Sequence, residues 1–269
     1  MVTLICPVRN CGAPLERRER ALVCERGHSF DRARSGYYNL LQPQDRRSKN
    51  PGDPKEAVEA RRRLLEAGYG DALLTALLEE IGSDRAILDV GCGEGFYLGR
   101  ISGARTVEAH GLDLSAPAVD LAARRHPGVT WVVANADRFL PYASGSFDRV
   151  LSIDARLHPE EMRRVLAPGG RLIVAVPAPD DLLELRAAVL GEGVLKDRME
   201  KTAAALSGRF EMEDRRTVRQ TARLGADALR DALTATYRGG RASRMERLRE
   251  IPEMDVTLSH ELALFRSAP

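Results

Sequence analysis

From about residue 86 onward, short apolar runs that end in turn residues alternate with segments of helical spacing. Ala86–Val90 runs into Gly91-Cys92-Gly93-Glu94-Gly95, residues 107–112 lead to Asp113, and residues 129–133 lead to Asn135-Ala136-Asp137. Phe147–Ile153 is a fourth run, and residues 171–176 form a fifth after the turn Pro168-Gly169-Gly170. Between them, residues 115–125 and 159–166 carry apolar positions at helical spacing. Strands alternating with helices predict an α/β fold, a parallel sheet covered by helices on both faces. Residues 210–224 and 254–266 alternate apolar and polar positions, which predicts an antiparallel pair at the edge of that sheet.

The N-terminal part follows another pattern. Two short strand-like pieces, 2–5 and 21–23, sit among bends marked by Gly12, Pro14 and Gly27. Residues 42–54 (QPQDRRSKNPGDP) are polar and turn-rich, and two helices are predicted over 54–67 and 71–81. The expected organisation is a small domain over 1–41, a basic linker and helix over 42–70, and the α/β domain over 71–269.

The small domain is where the cysteines change the picture. Cys6, Cys11, Cys24 and His28 read C-x4-C-x12-C-x3-H, and Cys92 in the glycine turn is the fourth and last cysteine. Three thiolates and one imidazole complete a tetrahedral shell for Zn²⁺, and a closed shell leaves no open position for substrate, so the metal is expected to be structural. So few cysteines are no disulfide framework, and thiolate ligands suit a reducing compartment. No apolar run approaches a bilayer span, and a cytoplasmic location is expected.

Charge is unevenly spread. Residues 1–63 hold 14 Arg or Lys against 8 Asp or Glu, whereas the whole chain is only +2. A positive N-terminal part is expected where a protein meets phosphate. Arginine dominates throughout, with only 4 lysines, so the asymmetry carries more weight than the total.

A strand feeding a glycine-rich turn that opens a helix is a nucleotide-type site, since glycines let the backbone approach a ligand. Asp89-Val90-Gly91-Cys92-Gly93-Glu94-Gly95 gives G-x-G-x-G with an acidic residue two positions before the first glycine, not the dinucleotide G-x-G-x-x-G. These residues resemble the first motif of class I S-adenosylmethionine-dependent methyltransferases, which implies a Rossmann-like domain. The resemblance puts Asp89 near the methionine end, lets the backbone pass close to the cofactor at Gly91 and Gly93, and implies Asp113 at the ribose hydroxyls, Asp137 at the adenine amine and Leu114 as a further cofactor contact. The Pro168-Gly169-Gly170 turn is common in the same fold. Cys92, His110, His126 and His158 read as packing residues.

A narrower resemblance spans the chain and is densest in 1–70 and 87–115. The zinc spacing, Gly36-Tyr37-Tyr38-Asn39-Leu40-Leu41, Arg47-Ser48-Lys49-Asn50-Pro51-Gly52-Asp53, Ala60-Arg61-Arg62 and Leu65-Glu66-Ala67-Gly68 resemble the zinc-containing 23S rRNA guanine-N1-methyltransferases. That group includes housekeeping and macrolide-resistance enzymes. It implies S-adenosylmethionine, structural zinc, a homodimer and a hairpin of 23S rRNA as substrate. Phe30, Tyr37 and Tyr38 are then candidate base stackers, and Arg32, Arg34, Arg46, Arg47 and Lys49 candidate phosphate contacts.

Three departures from the family stand out. The first ligand pair is C-x4-C where the family usually has C-x2-C. Gly68-Tyr69-Gly70 replaces Gly-His-Tyr, which makes Tyr69 the aromatic cofactor contact. Ile153-Asp154-Ala155-Arg156-Leu157 replaces an aromatic-Ala-Pro sequence beside the target base. A carboxylate at the end of the fourth strand is placed to take a proton from guanine N1, so Asp154 is the expected general base. The rival reading is a small-molecule methyltransferase that retains the zinc module for folding.

Overall fold

The structure is a computed structural model that describes residues 1–45, 52–191, 197–235 and 242–268. At the N-terminus β1 (Leu15–Arg17), β2 (Ala21–Cys24) and β3 (Ser29–Asp31) form an antiparallel sheet. The piece expected over 2–5 is not a full strand. It makes isolated bridges, Leu4 with Tyr142 and Ile5 with Pro14. Around the second bridge the Cys6 N–H donates to the Ala13 carbonyl and the Leu15 N–H to the Leu4 carbonyl, both at 2.8 Å.

β4 (Tyr38–Asn39) then leaves this module and joins the main sheet. After Pro54, α1 (Lys55–Leu64) is shorter than the predicted helix, because Leu65–Tyr69 widens into a single π-turn with Gly68 at φ 89°. α2 (Asp71–Glu80) follows.

The main sheet uses β5 (Ala86–Val90), β6 (Glu108–Asp113), β7 (Thr130–Val133), β8 (Phe147–Ile153) and β9 (Leu166–Pro177), with β10 (Phe210–Gly225) and β11 (Glu253–Ser267). Its order is β10-β11-β9-β8-β5-β6-β7-β4. β4 through β9 run parallel; β11 lies antiparallel to β9, and β10 antiparallel to β11. The edge pair read from alternation is therefore present. Crossovers are made by α3 (Phe96–Ala104), α4 (Ala116–Arg125) and α5 (Pro159–Val165). α6 (Leu183–Leu190), α7 (Arg198–Leu206), α8 (Ala226–Ala235) and α9 (Ala242–Leu248) belong to the C-terminal third.

Period-2 alternation sends neighbouring side chains to opposite faces, so each parallel strand feeds two cores. Ile87, Val133 and Leu151 pack with Trp131, Leu98 and Ile101 on one face. Leu88, Val132 and Val150 pack on the other with Tyr142, Phe147 and Met162, and that second core also contains Leu4, Cys6, Leu22 and Cys24. The metal module thus shares its core with the main sheet. A third cluster, with Leu229, Leu233, Leu185 and Val256, holds the C-terminal helices against the far ends of β10 and β11.

Candidate active site and metal centre

The cysteine turns converge. In the first, the Cys11 N–H donates to the Val8 carbonyl at 2.9 Å; in the second, the Gly27 N–H donates to the Cys24 carbonyl at 2.9 Å. The ligand atoms of Cys6, Cys11, Cys24 and His28 all lie within 4.8 Å of one another. His28 Nδ1 is 3.4 Å from the sulfurs of Cys6 and Cys24, and the sulfurs of Cys11 and Cys24 are 3.9 Å apart. A zinc tetrahedron with Zn–S near 2.3 Å and Zn–N near 2.0–2.1 Å has S···S edges of about 3.8 Å and S···N edges of about 3.5 Å. The donor set and its spacing fit zinc, and the C-x4-C loop closes on it.

The second centre is the crevice at the C-terminal ends of β5, β6 and β8, where an open α/β sheet presents its ligand site. The glycine turn follows β5. Gly91 adopts φ 82° and its N–H donates to the Leu112 carbonyl at 2.7 Å. A Cβ there would lie 2.4 Å from the Ala155 side chain, so the loop after β8 sits directly on the turn. The Gly93 N–H donates to one Asp113 oxygen at 2.9 Å, and the Ser115 N–H to the other at 2.7 Å. Each of these oxygens keeps a lone pair for a further donor such as a ribose hydroxyl. Leu114, next along, is half-buried against the Trp131 core.

Asp89 is 2 % exposed, and its Oδ1 makes no hydrogen bond among the described residues. Burial, reinforced by the charges of Asp113 and Glu94, pushes its titration up to about 8. Burial likewise raises Asp113 and Glu94. A crowd of buried carboxylates with an orphaned oxygen is a site for a cation. S-adenosylmethionine carries a sulfonium and an ammonium, so the residues present fit it.

Two further residues, neither assigned a role from the sequence, border this crevice. Arg61 on α1 donates to Asp53 Oδ2 at 2.8 Å and would lie 3.6 Å from a Cβ at Gly93, so α1 covers the turn. The Ser115 hydroxyl ties the same segment down through the Asp53 carbonyl at 3.0 Å. Tyr97, on the first turn of α3, feels Asp154 and Glu94, and burial raises its hydroxyl. Its place directly after the glycine turn was the available signal. Tyr69 packs against the third cluster, as do Leu64 and Leu182.

Asp154 sits just past β8 at φ 53°, a left-handed conformation that costs a residue with a Cβ about 1–3 kcal/mol. Its N–H donates to the Ala175 carbonyl at 2.9 Å, and its Oδ2 lies 3.2 Å from His260 Nε2. Burial would raise the carboxyl, but His260, Arg61 and Arg198 outweigh it and hold it below the usual carboxylate range. His260 was not among the histidines weighed in the sequence, since its partner is 106 positions away.

Asp137 is not drawn into the carboxylate group. It pairs with Arg156 at 3.3 Å, and both line an open cleft of about 530 Å³ with Ala155, His158, Lys201 and Thr202, which adjoins the glycine turn through Ala155.

The RNA-facing candidates divide. Tyr38 is 3 % exposed and belongs to the module's core, with the Arg17 guanidinium 5.9 Å above its ring. A buried ring has no free face for a base, so the expectation that Tyr38 stacks on RNA is corrected: it is a packing residue. Tyr37 is half-buried against the Trp131 core, its hydroxyl raised by burial and by Asp120. Phe30 is half-buried, Arg32 donates to the Gly36 carbonyl at 3.1 Å, and Arg34 is exposed. Arg46, Arg47 and Lys49 lie outside the described residues.

Comparison with known proteins places this geometry. Residues 4–49 match the family described as RlmA, N-terminal, and residues 87–170 match a methyltransferase domain. A 23S rRNA (guanine(748)-N(1))-methyltransferase of Streptomyces fradiae is 36% identical, over 99% of this chain and 97% of its own length. The chain belongs to the 23S rRNA (guanine-N1)-methyltransferase family. It is an S-adenosylmethionine-dependent methyltransferase with a zinc ribbon at its N-terminus. A Micromonospora griseorubida member named for the same reaction is 34% identical over 82% of this chain and 81% of its own. Among solved structures, a Haloferax volcanii chain from a complex with the Trm112 methyltransferase activator aligns at TM-score 0.53 and 17% identity, covering 81% of this chain and 99% of that one. That likeness shows the fold alone. Among the described residues of this family member, no helix is long and apolar enough to cross a membrane.

Proposed function

We propose that this chain methylates N1 of a guanine in a 23S rRNA hairpin, with S-adenosylmethionine as donor. The observation that carries the reading is the end-to-end match to a relative named for that reaction, which includes both the metal ribbon and the glycine turn. Residues 1–41 are assigned to metal binding, 42–70 to a basic linker and covering helix, and 71–269 to the methyltransferase domain.

When bound, S-adenosylmethionine supplies an electrophilic methyl group on a sulfonium whose sulfur departs as a neutral thioether, keeping the S–C electron pair. Asp89, Gly91, Gly93, Asp113 and Leu114 would hold it, with Asp137 as the assigned adenine contact. Arg61 and Asp53 hold α1 over the turn. Asp154 stands at the acceptor end of β8. Cys6, Cys11, Cys24 and His28 would hold zinc, which fixes the ribbon and does no chemistry. Tyr37 is assigned to the RNA face, together with Arg46, Arg47 and Lys49 of the linker.

We assign a homodimer as the working unit, on the strength of the family resemblance. The test is incubation with labelled S-adenosylmethionine and, in parallel, protein-free 23S rRNA, 50S subunits and a small-molecule extract. Primer extension should stop at one guanine of 23S rRNA. Label confined to small molecules would overturn the reading and favour the biosynthetic alternative, which the remodelled residues 153–157 keep in view.

A further inference from the structure

We propose that His260 is the group that accepts the N1 proton, and that Asp154 is its positioning residue. The inference deepens the acceptor chemistry proposed above and rests on that reading.

Asp154 is the first residue beyond β8, and Ala155 after it rests on the Gly91 turn. The left-handed backbone of Asp154 is fixed by the Asp154 N–H to Ala175 hydrogen bond, and its side chain is 49% exposed. His260 arrives from another part of the chain. It stands opposite Pro177 in the β11–β9 register, where β9 reaches its C-terminal end. Two strands distant in sequence thus deliver one carboxylate and one imidazole to the same rim. There Oδ2 and Nε2 meet at 3.2 Å, with His260 still 20% exposed.

A carboxylate bonded to one ring nitrogen fixes the tautomer and leaves the other nitrogen as acceptor. With Nε2–H donated to Asp154, Nδ1 carries the lone pair. The charged groups that face His260 are Asp154 at the end of β8, Asp181 after β9 and Arg198 on α7. Arg219, on the neighbouring β10, is taken up by Asp180. Burial disfavours the imidazolium, but Asp154 and Asp181 outweigh burial and hold His260 above its ordinary 6.5. Asp154 is displaced the other way. A base is most effective when its pKa lies near the operating pH, which suits the imidazole and not the carboxylate.

Atoms balance as follows. The N1–H bond breaks and its electron pair stays on N1 to form the new N–CH3 bond. The proton passes to His260 Nδ1, giving an imidazolium paired with Asp154, and leaves to solvent after product departs.

The test compares wild type, His260→Gln and Asp154→Asn. Methyl transfer to protein-free 23S rRNA is followed across pH, S-adenosylhomocysteine affinity is measured by calorimetry, and histidine titration is read by NMR without substrate. His260→Gln should lose on the order of 10²-fold or more in kcat, keep its cofactor affinity, and lose the acidic limb of the profile. In wild type that limb should lie above pH 6.5. Asp154→Asn, with the anion removed, should move both the limb and the NMR titration of His260 to lower pH. Parental kcat with a parental limb in His260→Gln overturns the proposal, as does a His260 titration identical in wild type and Asp154→Asn, a readout that survives poor folding of the first variant. Wild-type protein that leaves 23S rRNA unmodified overturns the acceptor and the proton's source together. An active enzyme with an unperturbed His260 overturns the dyad alone.

Discussion

Asp89 carries a stability cost that its position makes useful. Its folded carboxyl titrates at about 8, while a free aspartate titrates near 3.9. Between those values the folded protein holds a proton that the unfolded chain releases, so stability falls as pH rises through that window. A cationic ligand would satisfy the ionised form and remove the slope. Asp89→Asn should therefore flatten the decline in Tm of the ligand-free protein from about pH 5 to about pH 8, each kcal/mol being worth about 2–4 °C in a chain of this size. Differential scanning fluorimetry at fixed ionic strength checks it. Parallel curves for wild type and variant would mean that Asp89 is not the group that titrates. The same logic explains why Asp89 was legible in the sequence. An acidic residue before a glycine turn has few structural uses, and the fold leaves it buried and unpartnered.

At the scale of elements, β6 and β7 show how tightly the crevice is built from behind. Trp131 is 1% exposed, its Nε1–H donates to the His126 carbonyl at 2.9 Å, and it stands opposite Gly111 in the register. A Cβ on Gly111 would lie 2.3 Å from the indole, and one on Gly95 would lie 2.5 Å from it. The ring has no room to yield, so Gly111→Ala should destabilise by roughly 1–3 kcal/mol or more. The fluorescence of Trp131, the chain's single tryptophan, should shift with it. A Tm within error of wild type would show that the indole can repack.

Much of this layer was legible in the sequence: β5, β8 and the β10–β11 pair follow from runs and alternation. What was not legible depends on tertiary contacts. β4 is a two-residue strand held by pairing with β7 and by a bridge from Tyr38 to Arg32. Tyr69 follows Gly68, at φ 89° in the π-turn, and packs against the third cluster. His260 looked like one polar position in an alternating strand until β11 was laid beside β9.

For the whole molecule, the decisive feature is that the basic N-terminal part and the cofactor crevice belong to one packed body. Cys6 and Cys24 share a core with Leu88 and Val150, so a zinc ribbon can hold RNA in a fixed relation to the methyl-transfer end of the sheet. Arg9, Arg20 and Arg34 are exposed on or beside the ribbon. If they meet the RNA backbone, each contact releases counterions, and log K falls with log salt by about 0.7–0.9 per contact. Replacing all three with alanine should lower that slope by about 2–3 in filter binding to the 23S rRNA hairpin. Surface substitutions of this kind should leave Tm nearly unchanged and S-adenosylhomocysteine affinity intact. Methylation should then suffer through KM while kcat at saturating RNA stays close to wild type, because the groups that hold cofactor and proton are untouched. An unchanged salt slope would move the RNA path off these arginines and onto the linker.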